Sequence, residues 1–414
     1  MQPNYPKVIT QEEIDKILHS ALTILQQVGC IYQSKEALDS LEELGCQIDR
    51  KQHRALIPIA ISRELLKKTE FSDYPTITGM MGYSSRPLGK DIQQNQEKRD
   101  CQTLIHFASS LMGINIISSG FIPLEHVSQS VPRIFQELLD DSTKPFLVPP
   151  CSLDQSQKCL VTLPNLLGST KKIKDKCYGL VKVSAPLRYN ESNLQKLILY
   201  AKYNQAICLE GSYTVVSQIP IASLLALQMA EWIFGYCYLE SKALHPTILY
   251  RVPPAFPGEQ KHGLFSLKRW LSYHIGILEL AKILKFSINL PYPDLTNPDF
   301  YQGWMAGFFA RNYVGKCPVC FYPSDILDDS VLNDLILQSE FVCYLQHITS
   351  YFQPQGNIDK LIDRLQQKDY RLPTNLFQSK IFRSDAIEGW RRQKMEFSEL
   401  IDQQVKYKVN QLNK

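Results

Sequence analysis

The chain has 414 residues, of which 44% are hydrophobic, with 11 cysteines and a formal net charge of +4 at pH 7. That length suits one large domain or two ordinary ones with a sizeable core, and a small, well-mixed charge argues against a nucleic-acid surface. No window approaches the uninterrupted apolar run of a membrane span, and the first residues lack the pattern of a signal peptide, so a cytoplasmic protein with reduced thiols is expected.

The first seventy or so residues read as helical. Thr10-Gln-Glu-Glu13 is a capping box, a hydroxyl followed three residues later by a carboxylate. Ile14, Ile17, Leu18, Ala21, Leu22 and Leu25 then recur at helical spacing, and Gly29 is a natural stop. Ser34 opens a second helix with Ala37, Leu38, Leu41 and Leu44 as its stripe and Gly45 as its end. A third helix starts near Ser62.

After about residue 75 the rhythm changes to short apolar runs alternating with longer helical patterns. The runs predicted as strands are Thr76–Met80, Asn115–Ile117, Pro145–Val148, Leu180–Val183, Ala206–Leu209, Thr247–Tyr250, Ser287–Leu290 and Val319–Phe321. Helices are predicted between them at Asp100–Met112, Val127–Leu139, Ser192–Tyr203, Ala222–Glu240, Leu267–Leu284 and Phe300–Val314. Strands alternating with helices must pair in parallel. About eight such units fit a (β/α)8 TIM-type barrel, and no Gly-x-Gly-x-x-Gly follows the first strand as a dinucleotide fold would need. The expected organisation is a helical region over 1–74, the barrel over 75–350 and C-terminal helices over 351–414. Cys151–Asp175 reads as a polar connection, either a surface insertion or an oligomer contact.

In a parallel barrel the loops after the strand C-termini build the site. That places Glu210, Tyr250, Arg251, Phe256, Tyr322 and Asp325 on one rim, with Ser119 and Phe121 after an earlier strand. The stretch LPYPDLTNPDFYQGWMAG from Leu290 follows another strand and adds Tyr292 and Asp294. Its Asp299 reads as the cap of the next helix. Each residue alone is more often packing or a solvated loop side chain; convergence on one mouth is what makes them candidates. Cys317-Pro-Val-Cys320 is a lone CxxC and reads as core thiols rather than zinc ligands. Cys343 and His347 read as core, and Lys171–Lys176 as a solvated basic loop or, alternatively, a docking patch.

The stretch ITQEEIDKILHSALTILQQVGCIYQSKEALDSLEELGCQID resembles the opening of the trimethylamine methyltransferase (MttB-like) family. VSAPLRYNESNLQKLILYAKYNQAICLEG is similar to that family's strand–Pro-Leu–helix–strand passage. LALQMAEWIFGYCYLESKALHPTILYRVP is similar to its long helix, with Ala230-Glu231 at the family's Ala-Glu pair. PDLTNPDFYQGWMAG is similar to a further family segment, in which Tyr301 stands at the family's Gln and Met305 at its Glu. The loop from Gly211 to Pro220 holds a single glycine where relatives carry several, and no counterpart of the pyrrolysine position is seen.

The resemblance implies a corrinoid-dependent methyltransferase, taking a methyl group from a methylated amine or betaine-like quaternary ammonium compound. The corrinoid would be supplied by a partner protein, with no cofactor tightly bound and no metal ligands of the chain's own. A homo-oligomer is compatible with it. Substrate binding would fall to Glu210, Tyr250, Phe256, Tyr292, Asp294, Tyr301 and Tyr322, with aromatic faces and a carboxylate around a cation; no residue is assigned a catalytic role. The alternative is a non-catalytic barrel of the same family that binds a small ligand or the corrinoid-protein partner.

Overall fold

The computed structural model describes residues 9–69, 77–80, 104–117, 144–147, 152–169, 172–184, 186–212, 220–253, 267–292, 319–322, 335, 337–343 and 345. The expected helices at Val127–Leu139 and Phe300–Val314, and the C-terminal helices over 351–414, lie outside the described residues.

The N-terminal region holds three helices: α1 (Gln11–Gln27), α2 (Lys35–Glu43) and α3 (Ile59–Lys67). Thr10 caps α1 through the expected reciprocal box with Glu13, and Ser34 caps α2 by accepting from the Ala37 N–H. The region also contains strands that the sequence reading missed: β1 (Cys30–Tyr32), β2 (Gln47–Asp49) and β3 (Arg54–Leu56). Three residues are too few to show alternation, so only pairing reveals them. β1 lies between β3, antiparallel, and β7 (Arg188–Tyr189), parallel. Tyr32 fixes this small sheet against the rest of the chain. Its hydroxyl donates to the Phe234 carbonyl at 3.1 Å, and its ring sits 4.0 Å from that of Phe234.

Gly29 makes the turn from α1 into β1 with φ 66°, and its N–H donates to the Ile24 carbonyl. A Cβ there would lie 2.3 Å from the Ala55 backbone oxygen. Gly29→Ala therefore meets a left-handed conformation and an immovable backbone atom together. We expect a loss of about 3 kcal/mol, read as a lower denaturant midpoint. An unchanged midpoint would mean that β1 and β3 do not approach as described.

The remaining strands are β4 (Ile77–Gly79), β5 (Phe146–Leu147), β6 (Cys177–Lys182), β8 (Ala206–Glu210), β9 (Ile248–Arg251), β10 (Ser287–Pro291) and β11 (Val319–Tyr322). They form one parallel sheet in the order β4-β11-β10-β9-β8-β6-β5. Two parallel bridges, Met80 to Ile116 and Ile117 to Phe146, join its two edges through residues 116–117. With that short eighth member the ring closes, and the fold is the expected (β/α)8 barrel. β8 and β9 pair in parallel with Ile207 beside Ile248, as the barrel reading required.

Side-chain alternation along each strand separates two cores. Met80, Ile116, Leu147, Tyr178, Cys208, Leu249 and Cys320, from seven ring members, fill the inside of the barrel. The intervening residues face outward into a larger core with the helices. Among those helices are α4 (Leu153–Leu167), α6 (Glu191–Lys202), α7 (Ile221–Ser241) and α8 (Leu267–Leu284), with α5 (Ile173–Lys176) as a single turn. α7 buries the most, including Trp232, Ile233 and Phe234. The segment read as a polar connection is largely α4. Ser152 caps it by a box with Gln155, and Gly168 ends it at φ 73°. Pro164 and the following lysines concealed this helix in the sequence. The eight described cysteines are buried, and none is bonded to another of them.

Candidate functional site

Four successive strands carry a polar residue near their C-terminal ends. The register aligns Lys182 of β6 with Glu210 of β8, Glu210 with Arg251 of β9, and Arg251 with Asn289 of β10. Registered partners in a parallel sheet point to the same face, and Cys208 and Leu249, two residues earlier, face inward. The row therefore lies inside the barrel at its C-terminal mouth, the end at which barrel sites form.

Glu210 is the centre of this row and is fully buried. Lys182 Nζ stands 3.0 Å from its Oε1, and Arg251 Nε 2.8 Å from its Oε2. The two cations differ in burial: the Lys182 side chain is 47% exposed and that of Arg251 12%. The mouth therefore opens to solvent on the β6 side. On the other side, Arg251 Nη1 and Asn289 Nδ2 both approach Met80 Sδ, at 3.8 and 3.9 Å. Asn289 is fully buried, and its Oδ1 has no hydrogen-bond partner among the described residues.

A second buried carboxylate lies just outside the ring. Glu231 of α7 accepts from the Ser212 N–H at 2.8 Å, from the Ser212 hydroxyl, and from the Leu187 N–H at 3.2 Å. It thereby holds the turn that follows Glu210. A Cβ at Gly211 would lie 2.3 Å from Gln228 Oε1 and would push that side-chain end aside, and Gln228 Nε2 donates to Glu231 at 3.3 Å. Burial raises the Glu231 carboxyl from its ordinary 4.5 to about 7, against the lowering effect of the Ser212 and Leu187 hydrogen bonds.

Of the residues expected at the mouth, Glu210 is there. Tyr250 is not. It alternates with the inward Leu249 and Arg251, so it faces the helices, where its ring lies 5.2 Å from Trp232 and 4.4 Å from Phe286. Tyr292 likewise stacks 5.7 Å from Phe321 and meets Phe341 edge-on at 6.0 Å in the outer core. Burial pushes both phenols up, so they stay neutral. Tyr322 is the last residue of β11, but its side chain lies outside the described residues, as do Phe256, Asp294, Asp299, Tyr301, Asp325, Ser119 and Phe121. Cys320 of the CxxC faces the barrel interior as core, and Cys317 falls outside the described set. Lys182 and Asn289 were not anticipated. The signal for them was a single polar residue near the end of each of several otherwise apolar strands.

Among the described residues there is no group of three or more His, Cys, Asp or Glu side chains placed to hold a metal ion. No described helix is long and apolar enough to cross a membrane.

No family model matches the chain. Among curated proteins, the glycine betaine methyltransferase of Desulfitobacterium hafniense (strain Y51) is 23% identical over 272 residues, covering 60% of this chain and 56% of that protein. The chain thus spans about half the length of the curated relative it matches. Among solved structures, the monomethylamine methyltransferase MtmB of Methanosarcina barkeri superposes with a TM-score of 0.47 at 10% identity, covering 95% of this chain and 96% of that one. A hydroxylamine complex of MtmB gives a TM-score of 0.48 at 9% identity, with 98% and 96% covered.

Proposed function

We propose that this chain, a divergent relative of the MttB-like methyltransferases, moves a methyl group from a methylated amine or quaternary ammonium compound to the cobalt of a corrinoid carried by a partner protein. The observation that carries the reading is the charged row at the C-terminal mouth of a closed parallel barrel, with Glu210 buried between Lys182 and Arg251. The curated relative supports the chemistry, since its name gives a methylated quaternary ammonium compound as substrate.

The corrinoid enters as a second substrate. It supplies a cobalt(I) electron pair that forms the new cobalt–carbon bond, while the carbon–nitrogen bond breaks and its pair stays on nitrogen. With a quaternary donor the leaving group is a neutral amine, so the protein need not deliver a proton. The work left to this chain is to hold the donor in line and to limit water. The Lys182–Glu210–Arg251 row offers fixed charges on strand ends, which position a bound group more firmly than loop side chains would. Glu231 holds the turn immediately after Glu210 and so acts as a positioning residue. Tyr250 and Tyr292 brace the strand ends from outside and take no part in a cage around the cation.

The reading is tested by mixing the protein with cob(I)alamin and a panel of methylamines and betaines and following the absorption spectrum. The expected result is conversion to methylcobalamin with at least one donor, above the rate without protein. Ligand binding with no conversion for any donor would favour the non-catalytic barrel.

A further inference from the structure

We propose that Cys46 and Cys237 form a reversible disulfide when a peroxide reaches the folded chain, a modification that ties the N-terminal region to the barrel. The two thiols are already assembled for it. Cys46 follows α2, where Gly45 turns the chain at φ 99°. The Gly45 N–H donates to the Glu42 carbonyl and the Cys46 N–H to the Leu41 carbonyl, both at 2.9 Å. These two crossed bonds end a helix on a left-handed glycine and fold the residue after it back towards the helix's apolar side. Cys46 is thereby set into the core against α7. Cys237 is fully buried on α7, and the two thiols share a hydrogen bond. Two further contacts hold α7 against the N-terminal region here. The Tyr32 hydroxyl donates to the Phe234 carbonyl at 3.1 Å, and Lys242 Nζ stands 2.7 Å from Glu36 Oε1 of α2.

The pair is asymmetric, as a stepwise oxidation of two thiols requires. Cys46 is 5% exposed between the exposed Gly45 and Gln47, so it lies just beneath the surface, whereas Cys237 has no exposure at all. The hydrogen bond from Cys237 holds the Cys46 thiol below its ordinary range in spite of burial; the same bond, and then burial, push Cys237 well above it. Cys46 is therefore the member that reacts first, as a thiolate. Its sulfur attacks one oxygen of hydrogen peroxide, the O–O bond breaks, and the other oxygen leaves as hydroxide and is protonated to water. The sulfenic acid formed on Cys46 stands beside Cys237. The Cys237 sulfur attacks the Cys46 sulfur, the S–O bond breaks, and a second water leaves with the Cys237 proton. Two thiols and one hydrogen peroxide thus give one disulfide and two waters. Cys30 lies nearby but interacts with these two thiols only through charge, whereas Cys46 and Cys237 touch. The bond closes a long loop, from the end of α2 through much of the barrel to α7, and fixes the helix that carries Glu231. It does not depend on methyl transfer at the mouth.

Peptide mapping of the full chain tests this. The protein, reduced and then freed of reductant, is exposed to a small molar excess of hydrogen peroxide. It is then unfolded in an alkylating agent and digested without reduction. We expect the main new species to be the Cys46–Cys237 linked peptide, lighter than its two parts by two hydrogens. Both cysteines should lose alkylation together, and dithiothreitol should restore both. In Cys237→Ser the second thiol is gone, so Cys46 should stop at the sulfenic acid and be trapped by dimedone. Cys46→Ser should leave Cys237 unoxidised at the same exposure. Circular dichroism reports whether each variant folds; if neither does, the map of the parent protein decides alone. Oxidation of other cysteines ahead of this pair, a bridge from Cys46 to Cys30 in its place, or folded Cys237→Ser with no dimedone adduct at Cys46 overturns the proposal.

Discussion

Replacing Glu210 by alanine is expected to destabilise the protein by about 3–5 kcal/mol, the usual cost of breaking a buried ion pair from one side. The carboxylate is fully buried and Arg251 nearly so, so the deletion takes away the carboxylate partner described for a cation that little water reaches. Lys182 contributes less to the loss, because its half-exposed side chain can turn to solvent. The charge explanation makes a second demand. Removing both charges, as in Glu210→Leu with Arg251→Met, should restore much of the stability lost by the single change, since apolar replacement of a whole buried pair is often neutral. Denaturant midpoints of the single and double variants check this. A double variant no more stable than the single one would show that packing, not charge, dominates the mouth. Ligand binding should be lost in both.

The second large effect is a pH dependence carried by Glu231. Its carboxyl is raised from 4.5 to about 7 in the folded protein, chiefly by burial. Between those values the folded state holds a proton that the unfolded state has released. Stability from this group is therefore complete below about pH 4.5 and falls as pH rises through 7, by about 3 kcal/mol in all. Tyr189, Tyr273 and Cys30 face the same charge, but burial first and Glu231 second push all three up, so they stay neutral across the window. Glu231→Gln keeps the size of the side chain and removes the titration. The difference in unfolding free energy between parent and variant, measured from pH 4.5 to 7.5, should shift against the parent by that amount. A parallel pair of curves would mean that the Ser212 and Leu187 hydrogen bonds hold Glu231 ionised throughout. The same loop should respond in function, since the Ser212 turn follows Glu210 directly.

The barrel was legible because its strands are short apolar runs separated by long helical patterns, a spacing that parallel pairing requires. Leu267–Leu284 was bounded to the residue. β6 was started three residues late, because Cys177-Tyr-Gly follows a lysine-rich turn and contains a residue with no side chain to pattern. The site was harder to read. Position after a strand located the mouth, but strands buried on both faces are apolar on both, so hydropathy could not tell inward from outward. Tyr250 was misplaced for that reason. Arg251 stands beside Glu210 on the expected rim, and an inward register anchored on Glu210 adds Lys182 and Asn289 by strand pairing. Glu231 illustrates a different limit. A glutamate inside a helix usually faces water, and only the fold shows this one beneath the Ser212 turn.

Methyl transfer at this mouth is tested by the fate of a labelled methyl group. The protein would be incubated with glycine betaine carrying isotopically labelled N-methyl groups and with cob(I)alamin, and both products quantified by mass spectrometry. Labelled methylcobalamin and dimethylglycine are expected in equal amounts, with formation at least tenfold slower in Arg251→Gln. Label that stays entirely on the donor, for glycine betaine and for every other methylated amine offered to folded protein, would contradict it.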